Sequence, residues 1–199
     1  MAKVKLTKNE LRNQKDQLKR FQRYLPTLQL KKQQLQMVIR QIEAQEEQKR
    51  QERDELQRRM DAWVDVFGED LGIEELVTVS NIETDTGNIA GVDIPVFENI
   101  EFEKIDWDLF ETPVWVDAAV GRMKELVAAD AELEILEEQR KLVAEELRIT
   151  TQRVNLFEKV KIPETKENIR RIRIYLGDQQ TAEVVRGKIA KKKIEAKEE

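Results

Sequence analysis

Two stretches of the chain carry apolar residues at alternating three- and four-residue spacing, and no other feature limits the fold as tightly. In the first, from Leu11 to Phe67, one row is Leu11, Leu18, Leu25, Lys32, Ile39, Glu46, Arg53, Met60 and Phe67. Its companion row is Gln14, Phe21, Leu28, Leu35, Ile42, Lys49, Leu56 and Trp63. One register holds throughout and most of the seam is apolar, which is a coiled-coil signal. In the second stretch, Leu126, Leu133, Arg140, Leu147 and Val154 form one row; Ala129, Leu136, Val143, Thr150 and Phe157 form the other. Neither stripe is wide enough to stabilise a lone helix, so each needs a partner. The expected fold is mainly α: a long antiparallel two-helix coiled-coil hairpin with a small β-hairpin knob at the bend.

Local signals set the element boundaries. Thr7 followed by Glu10 reads as a capping box. The helix after it is expected to reach Phe67, with Gly68 as its stop. At about 1.5 Å per residue it would be roughly 90 Å long. Pro26 lies inside it; the heptad passes through in phase, so a kink near Leu25 is expected within one helix. Residues 43–59 are very polar and read as a solvated helix with a weak seam. Between Gly68 and Thr112 the helical spacing stops. Leu76 to Ile82 is rich in β-branched residues, and Asp85-Thr86-Gly87-Asn88 has turn composition. Asn88 to Pro95 and Val96 to Phe102 offer further strand. The spacing predicts a small β-hairpin, with room for a third short strand. Trp63, Phe67, Phe97, Phe102, Trp107, Phe110 and Trp115 are expected to cover its apolar face.

Thr112-Pro113 reads as a cap followed by proline at the first helical position. The second helix is expected to run to Leu176, with a bend near Pro163. Past that proline the apolar row shifts by one place, to Ile169, Ile172 and Leu176, which indicates a bend or overwinding. This reading divides the chain into a shaft helix over 1–67, a hairpin knob over 68–112, a second shaft helix over 113–177 and a basic tip over 178–199. In an antiparallel hairpin of these helices, facing residues have numbers that sum to roughly 180. That places Ile42 near Glu138, Pro26 near Val154 and Leu11 near Ile169. Residues after Asp178 are left without a partner helix.

A further row, Ile135, Leu142, Ile149 and Leu156, also repeats every seven residues but lies off the seam, about 100° from the nearer seam row. Leu30 and Met37 are off the seam of the first helix, level with Ile149 and Leu142. Two helices alone would leave all six in water. A contiguous exposed apolar patch usually marks an interface, so these six are the candidate partner-binding residues.

Composition excludes most chemistry. The 199 residues carry a net charge of −5, with 38% charged and 6% aromatic side chains, as suits long solvated helices. The acidic balance argues against nucleic acid as the main partner. The sequence has no cysteine and no histidine, which removes disulfides, thiolate ligands and the commonest general base. No phosphate-cradling glycine loop is present. Asp85-Thr86-Gly87 matches the aspartic-protease tripeptide, but turn chemistry accounts for it. Adjacent acids such as Glu46-Glu47 and Glu137-Glu138 do not face each other on a helix. Arg170, Arg171 and Arg173, like Lys191, Lys192 and Lys193, form exposed basic faces, with acidic protein loops as candidate partners. No catalytic residue, metal site or cofactor is expected. No apolar run is long enough to span a bilayer and no signal-peptide core is visible, so a soluble intracellular chain is expected.

Arg153-Val154-Asn155-Leu156-Phe157-Glu158, then Ile162-Pro163, then Asn168-Ile169 to Leu176 resembles the C-terminal signature of the D subunits of V-type and A-type ATPases. Asn88-Ile89-Ala90-Gly91-Val92-Asp93-Ile94-Pro95 is similar to that family's middle segment, and Leu6-Thr7-Lys8 with Leu11 and Leu18 to its opening. The resemblance covers the whole length in order. Departures are Pro26, where the family often has glycine, the thinner Leu28-Gln29-Leu30-Lys31-Lys32 run, and Gly177-Asp178-Gln179-Gln180. The resemblance implies a non-catalytic central axle of a rotary ATPase. Its coiled coil would enter a hexamer of catalytic A and B subunits, a small F subunit would bind its lower shaft, and its base would sit on the subunit atop the membrane ring. It implies a cytoplasmic location, peripheral to the membrane. Arg153, Val154, Asn155, Ile162 and Pro163 are the family-motif residues. The alternatives are a prefoldin-like chaperone subunit and a tethering coiled coil.

Overall fold

In the computed structural model the described residues are 4–64, 76–105, 113 and 115–198, with side chains described as far as residue 61 in the first stretch and residue 195 in the last. The order is helix α1 (Lys8–Val64), strands β1 (Val79–Ile89) and β2 (Val92–Phe102), helix α2 (Val116–Asn155), a π-helical segment (Leu156–Lys161) and helix α3 (Ile162–Glu198). The chain splits into two compact units. One comprises Lys32–Ile149; the other pairs the residues up to Lys31 with those from Thr150 onward. Gly68, Thr112, Phe67, Trp107 and Phe110, and the side chain of Trp63, lie outside the described residues.

Helix α1 starts as its cap dictates. The Glu10 N–H donates to Thr7 Oγ1 at 3.2 Å, and Leu11 N–H donates to the Thr7 carbonyl at 3.0 Å. The Glu10 carboxylate accepts from Gln14 Nε2 at 2.8 Å. The cap thus satisfies one of the donors that a helix start leaves open. The helix is continuous through Pro26. Helix α2 begins at Val116, three residues beyond Pro113; the Val116 N–H reaches back to the Pro113 carbonyl at 3.0 Å. Pro113 is therefore outside the helix it was expected to open.

In the Lys32–Ile149 unit, the central cluster is Leu35, Ile42 and Val143, with Ile94 from β2. Leu35 and Val143 are fully buried. The two strands form one antiparallel pair, with Ile89 opposite Val92 and Gly87 opposite Ile94. Two residues make the turn: Ala90 at φ 54° and Gly91 at φ 78°. Positive φ at both positions is the type I′ hairpin that matches strand twist. Asn88 helps close it, accepting from the Gly91 N–H at 3.1 Å and donating to Asp93 Oδ1 at 2.6 Å.

This corrects the turn expected at Asp85–Asn88. Those residues are paired within β1, opposite Val96, Pro95, Ile94 and Asp93. Their turn-like composition was overridden by the apolar alternation of Ile89, Val92 and Ile94, which fixes the register. Gly87 has a packing role instead: a Cβ there would come within 2.8 Å of the Val96 side chain.

A two-stranded hairpin cannot bury an apolar face by itself. Here the tip lies back on the helices, with Ile89, Ala90 and Val92 against the Leu35–Val143 cluster. Gln139, itself buried, clamps it by donating from Nε2 to the Pro95 carbonyl at 2.6 Å. Among the described residues there is no third strand.

In the other unit, the Phe21 and Phe157 rings meet at 5.2 Å between centroids, tilted by 41°, and Asn168 donates to Gln14 Oε1 at 3.5 Å. Ile172 is fully buried; Val154 and Ile169 nearly so. Phe21–Phe157 and Gln14–Asn168 follow the antiparallel pairing rule closely. The phase slip at Pro163 is a widening, not an overwinding. The Ile162 N–H donates five residues back, to the Phe157 carbonyl. A π turn inserts one residue into the helical count, which is the one-place shift seen at Ile169 and Ile172. It also lies directly before the proline, whose ring would otherwise crowd the carbonyl four residues back.

Candidate interaction surfaces

The polar part of the α1 seam is stitched, not idle. Glu46 stands at a seam position, buried to 8% exposure. The single Arg140 Nε–H is shared between its two carboxylate oxygens, at 2.9 and 3.1 Å. One turn on, Lys49 meets Glu132 at 3.0 Å; two turns on, Arg53 meets Asp130 at 2.9 Å. Glu132 and then Glu52 raise the Lys49 pKa by hydrogen bonding. Asp130 does the same for Arg53, and Glu46 for Arg140. All three stay cationic across the physiological range. The sequence did not show this stitching because a polar seam residue gives no sign of its partner; the sum rule comes near Lys49–Glu132 and Arg53–Asp130 but sets Glu46 opposite Glu134 instead of Arg140.

The six off-seam residues separate. In the Lys32–Ile149 unit, Met37 is 63% and Leu142 39% exposed, while Ile149 is half-buried. Ile135 is buried instead, at 8%, in a recess walled by Ile94, Phe97 and Leu136 under the hairpin. It does not join an exposed row, because the hairpin folds back over it. In the other unit, Leu30 is 60% and Leu156 43% exposed. Among the hairpin aromatics, Phe97 and Phe102 are half-buried, and Lys124 Nζ lies 5.5 Å from the Phe102 ring centroid.

The motif residues frame the π turn. Arg153, Val154 and Asn155 end α2, and Ile162-Pro163 opens α3. Val154 is the buried seam residue of the set; Arg153, Asn155 and Pro163 are exposed. Their arrangement offers no pair of groups for chemistry. Among the described residues no cluster of acids is placed to hold a metal ion, and no helix is long and apolar enough to cross a membrane.

Gly177 does not break α3, which continues to Glu198. From Gly177 to Glu195 every residue is exposed.

Comparison with known proteins finds relatives that match nearly the whole length of the chain. Residues 10–192 match the family profile described as the ATP synthase D subunit. The chain is 53% identical over 191 residues to the V-type ATP synthase D subunit of Borreliella burgdorferi, covering 96% of this chain and 95% of that protein. It is 38% identical to the protein of the same name from Chlamydia pneumoniae, over 98% of this chain and 94% of that one. With the one from Chlamydia muridarum the identity is 35%, over 100% and 99%.

Proposed function

We infer the function from one premise: this chain belongs to the ATP synthase D-subunit family. Its role is that of the central axle of a V/A-type rotary ATPase, a non-catalytic part that couples ATP turnover in a hexamer of A and B subunits to ion movement through a membrane ring. The observation that carries this reading is the antiparallel pairing of α1 within each unit, from Gln14–Asn168 in one to Arg53–Asp130 in the other. A single chain that pairs its own first and last thirds is intrinsically asymmetric. Turning inside a ring of like subunits, it offers each a different surface, and differential contact free energy then sets different states.

The apolar side chains of Met37, Leu142 and the half-buried Ile149 are assigned to the small F subunit. The basic α3 end and the start of α1 are assigned to the bearing within the hexamer. The base is assigned to the subunit atop the ring, which makes the chain peripheral to the membrane on its cytoplasmic side. Affinity capture of the tagged chain from the native membrane fraction tests the reading: a catalytic hexamer and a small companion are expected. Recovery of a homo-hexamer of coiled-coil chains would overturn it. Leu142→Asp with Ile149→Asp is expected to lose the companion at unchanged helicity; undiminished co-purification would refute the patch.

A further inference from the structure

Two sets of cations in this chain differ in their partners. Arg53, Arg140 and Lys49 each meet a carboxylate across the seam. A second group does not. Lys8, Arg12, Lys15 and Lys19 are spaced four, three and four apart, which aligns them as one stripe down a face of α1. Lys166, Arg170 and Arg173 repeat the same spacing on α3. Both stripes line one groove of about 740 Å³, and Asp16 is the one acid in its wall. Arg170 is engaged by Glu167 at 2.8 Å. The other six have no carboxylate within ion-pair distance among the described residues. This concentration of unspent positive charge stands in a chain whose net charge is −5.

Between the stripes the groove is apolar, with Leu11, Leu18, Ile169 and Ile174 in its lining. Ile174 is 51% exposed there. Phosphate groups would use the cations and waste these side chains. A helix with a narrow apolar stripe edged by Asp and Glu would use both. Lys8 to Lys19 spans about 16 Å along α1, or three turns of a helix laid beside it.

We propose that the groove between Lys8–Gln22 and Lys166–Ile174 is a docking site for an acidic amphipathic helix of a partner protein, about three turns long. Its apolar residues pack on Leu11, Leu18 and Ile174, and its carboxylates meet the two basic stripes. Helix-in-groove recognition of this kind is read by anchors one and two turns apart, and charge complementarity sets its register and speed of encounter. The inference stands on the groove and does not require the rotor reading; on that reading the helix would belong to the inner wall of the hexamer.

The test uses the full chain and a fluorescent synthetic peptide of roughly 14 residues, with leucines at i, i+4, i+7 and i+11 flanked by glutamates. Fluorescence anisotropy is expected to show saturable binding that weakens with salt. Lys15→Glu with Arg173→Glu should weaken it at least about ten-fold at unchanged circular dichroism. A peptide of the same composition, scrambled to destroy the stripe, should bind at least about ten-fold more weakly. No binding, equal binding of the scrambled peptide, or indifference to the charge reversals overturns the proposal. Tighter binding of a deoxyadenosine 12-mer or of phosphatidylglycerol vesicles than of the peptide overturns it too. Co-purification of the charge-reversed chain with the catalytic subunits is scored separately. Peptide binding by a chain that captures no hexamer would sink the rotor reading alone, and the reverse result would sink the groove alone.

Discussion

The two units solve the same problem with different means. Both start from two antiparallel helical strands with a narrow apolar seam. Lys32–Ile149 adds a third element, the hairpin, and with it buries an off-seam residue, Ile135. Among the described residues the other unit has no such cover, and its off-seam Leu30 and Leu156 stay exposed. Ile172 is fully buried on the seam without a hairpin over it, whereas Leu35 and Val143 are fully buried with the hairpin tip against them. A residue off the seam is buried only where something else covers it. A hairpin within the chain does so at Ile135; at Leu142, on this reading, a partner does.

Truncating one side chain of each class puts that difference at risk. Leu35→Ala removes a fully buried side chain under the hairpin and is expected to cost about 2–5 kcal/mol in urea denaturation. Leu156→Ala should change stability by less than about 0.5 kcal/mol. Similar losses at both sites would remove the distinction between covered and uncovered rows.

The next effect concerns the π turn. Deleting Lys159 together with Pro163→Ala takes out the extra residue and the ring that the wide turn accommodates. The turn should relax to α with Ile169 and Ile172 still on the seam, leaving the melting temperature within about 5 °C. Deleting Lys166 from the regular part of α3 rotates the rest of the helix by about 100° and should melt this unit far earlier. Equal damage from the two deletions would mean that the turn does not set the phase.

Smaller effects test the ionic seam. Glu46→Gln should cost about 1 kcal/mol at low salt, since Arg140 is partly solvated, and less at high salt, where screening is stronger. An equal loss at both salt concentrations would show that packing, not charge, is at stake. The smallest effect is at Glu167. Arg170, and then Arg171, hold its carboxyl at about 2 by hydrogen bonding. A depressed carboxylate pKa favours the folded helix above the ordinary value of 4.5, and that contribution fades as pH falls toward about 2. The pair is open to solvent on the helix surface, so the effect should appear in the carboxyl NMR titration of Glu167 and hardly in the melting temperature. A midpoint at the ordinary carboxylate value would refute the fork.

Much of the helical frame was legible because periodicity survives translation into burial: Leu35, Ile42, Val143 and Ile172 are where their rows put them. The hairpin was legible as a hairpin but not in register. Asp85-Thr86-Gly87-Asn88 has the composition of a turn, while Ala90 adopts a positive φ that alanine tolerates only when its flanks are pinned. The burial of Ile135 was invisible because it depends on where the tip comes to rest. The motif Arg153-Val154-Asn155 with Ile162-Pro163 was recognisable as a pattern, and its physical content, the frame of a π turn, required the backbone.

That wide turn has a mechanical side. A helix resists twisting through its ladder of backbone bonds, and between Leu156 and Lys161 each rung reaches one residue farther. Torque applied to a rod concentrates angular strain at its most compliant section. Under rotation this short stretch would wind and unwind first, acting as a spring in series with stiffer neighbours and smoothing an impulsive drive into a steadier one.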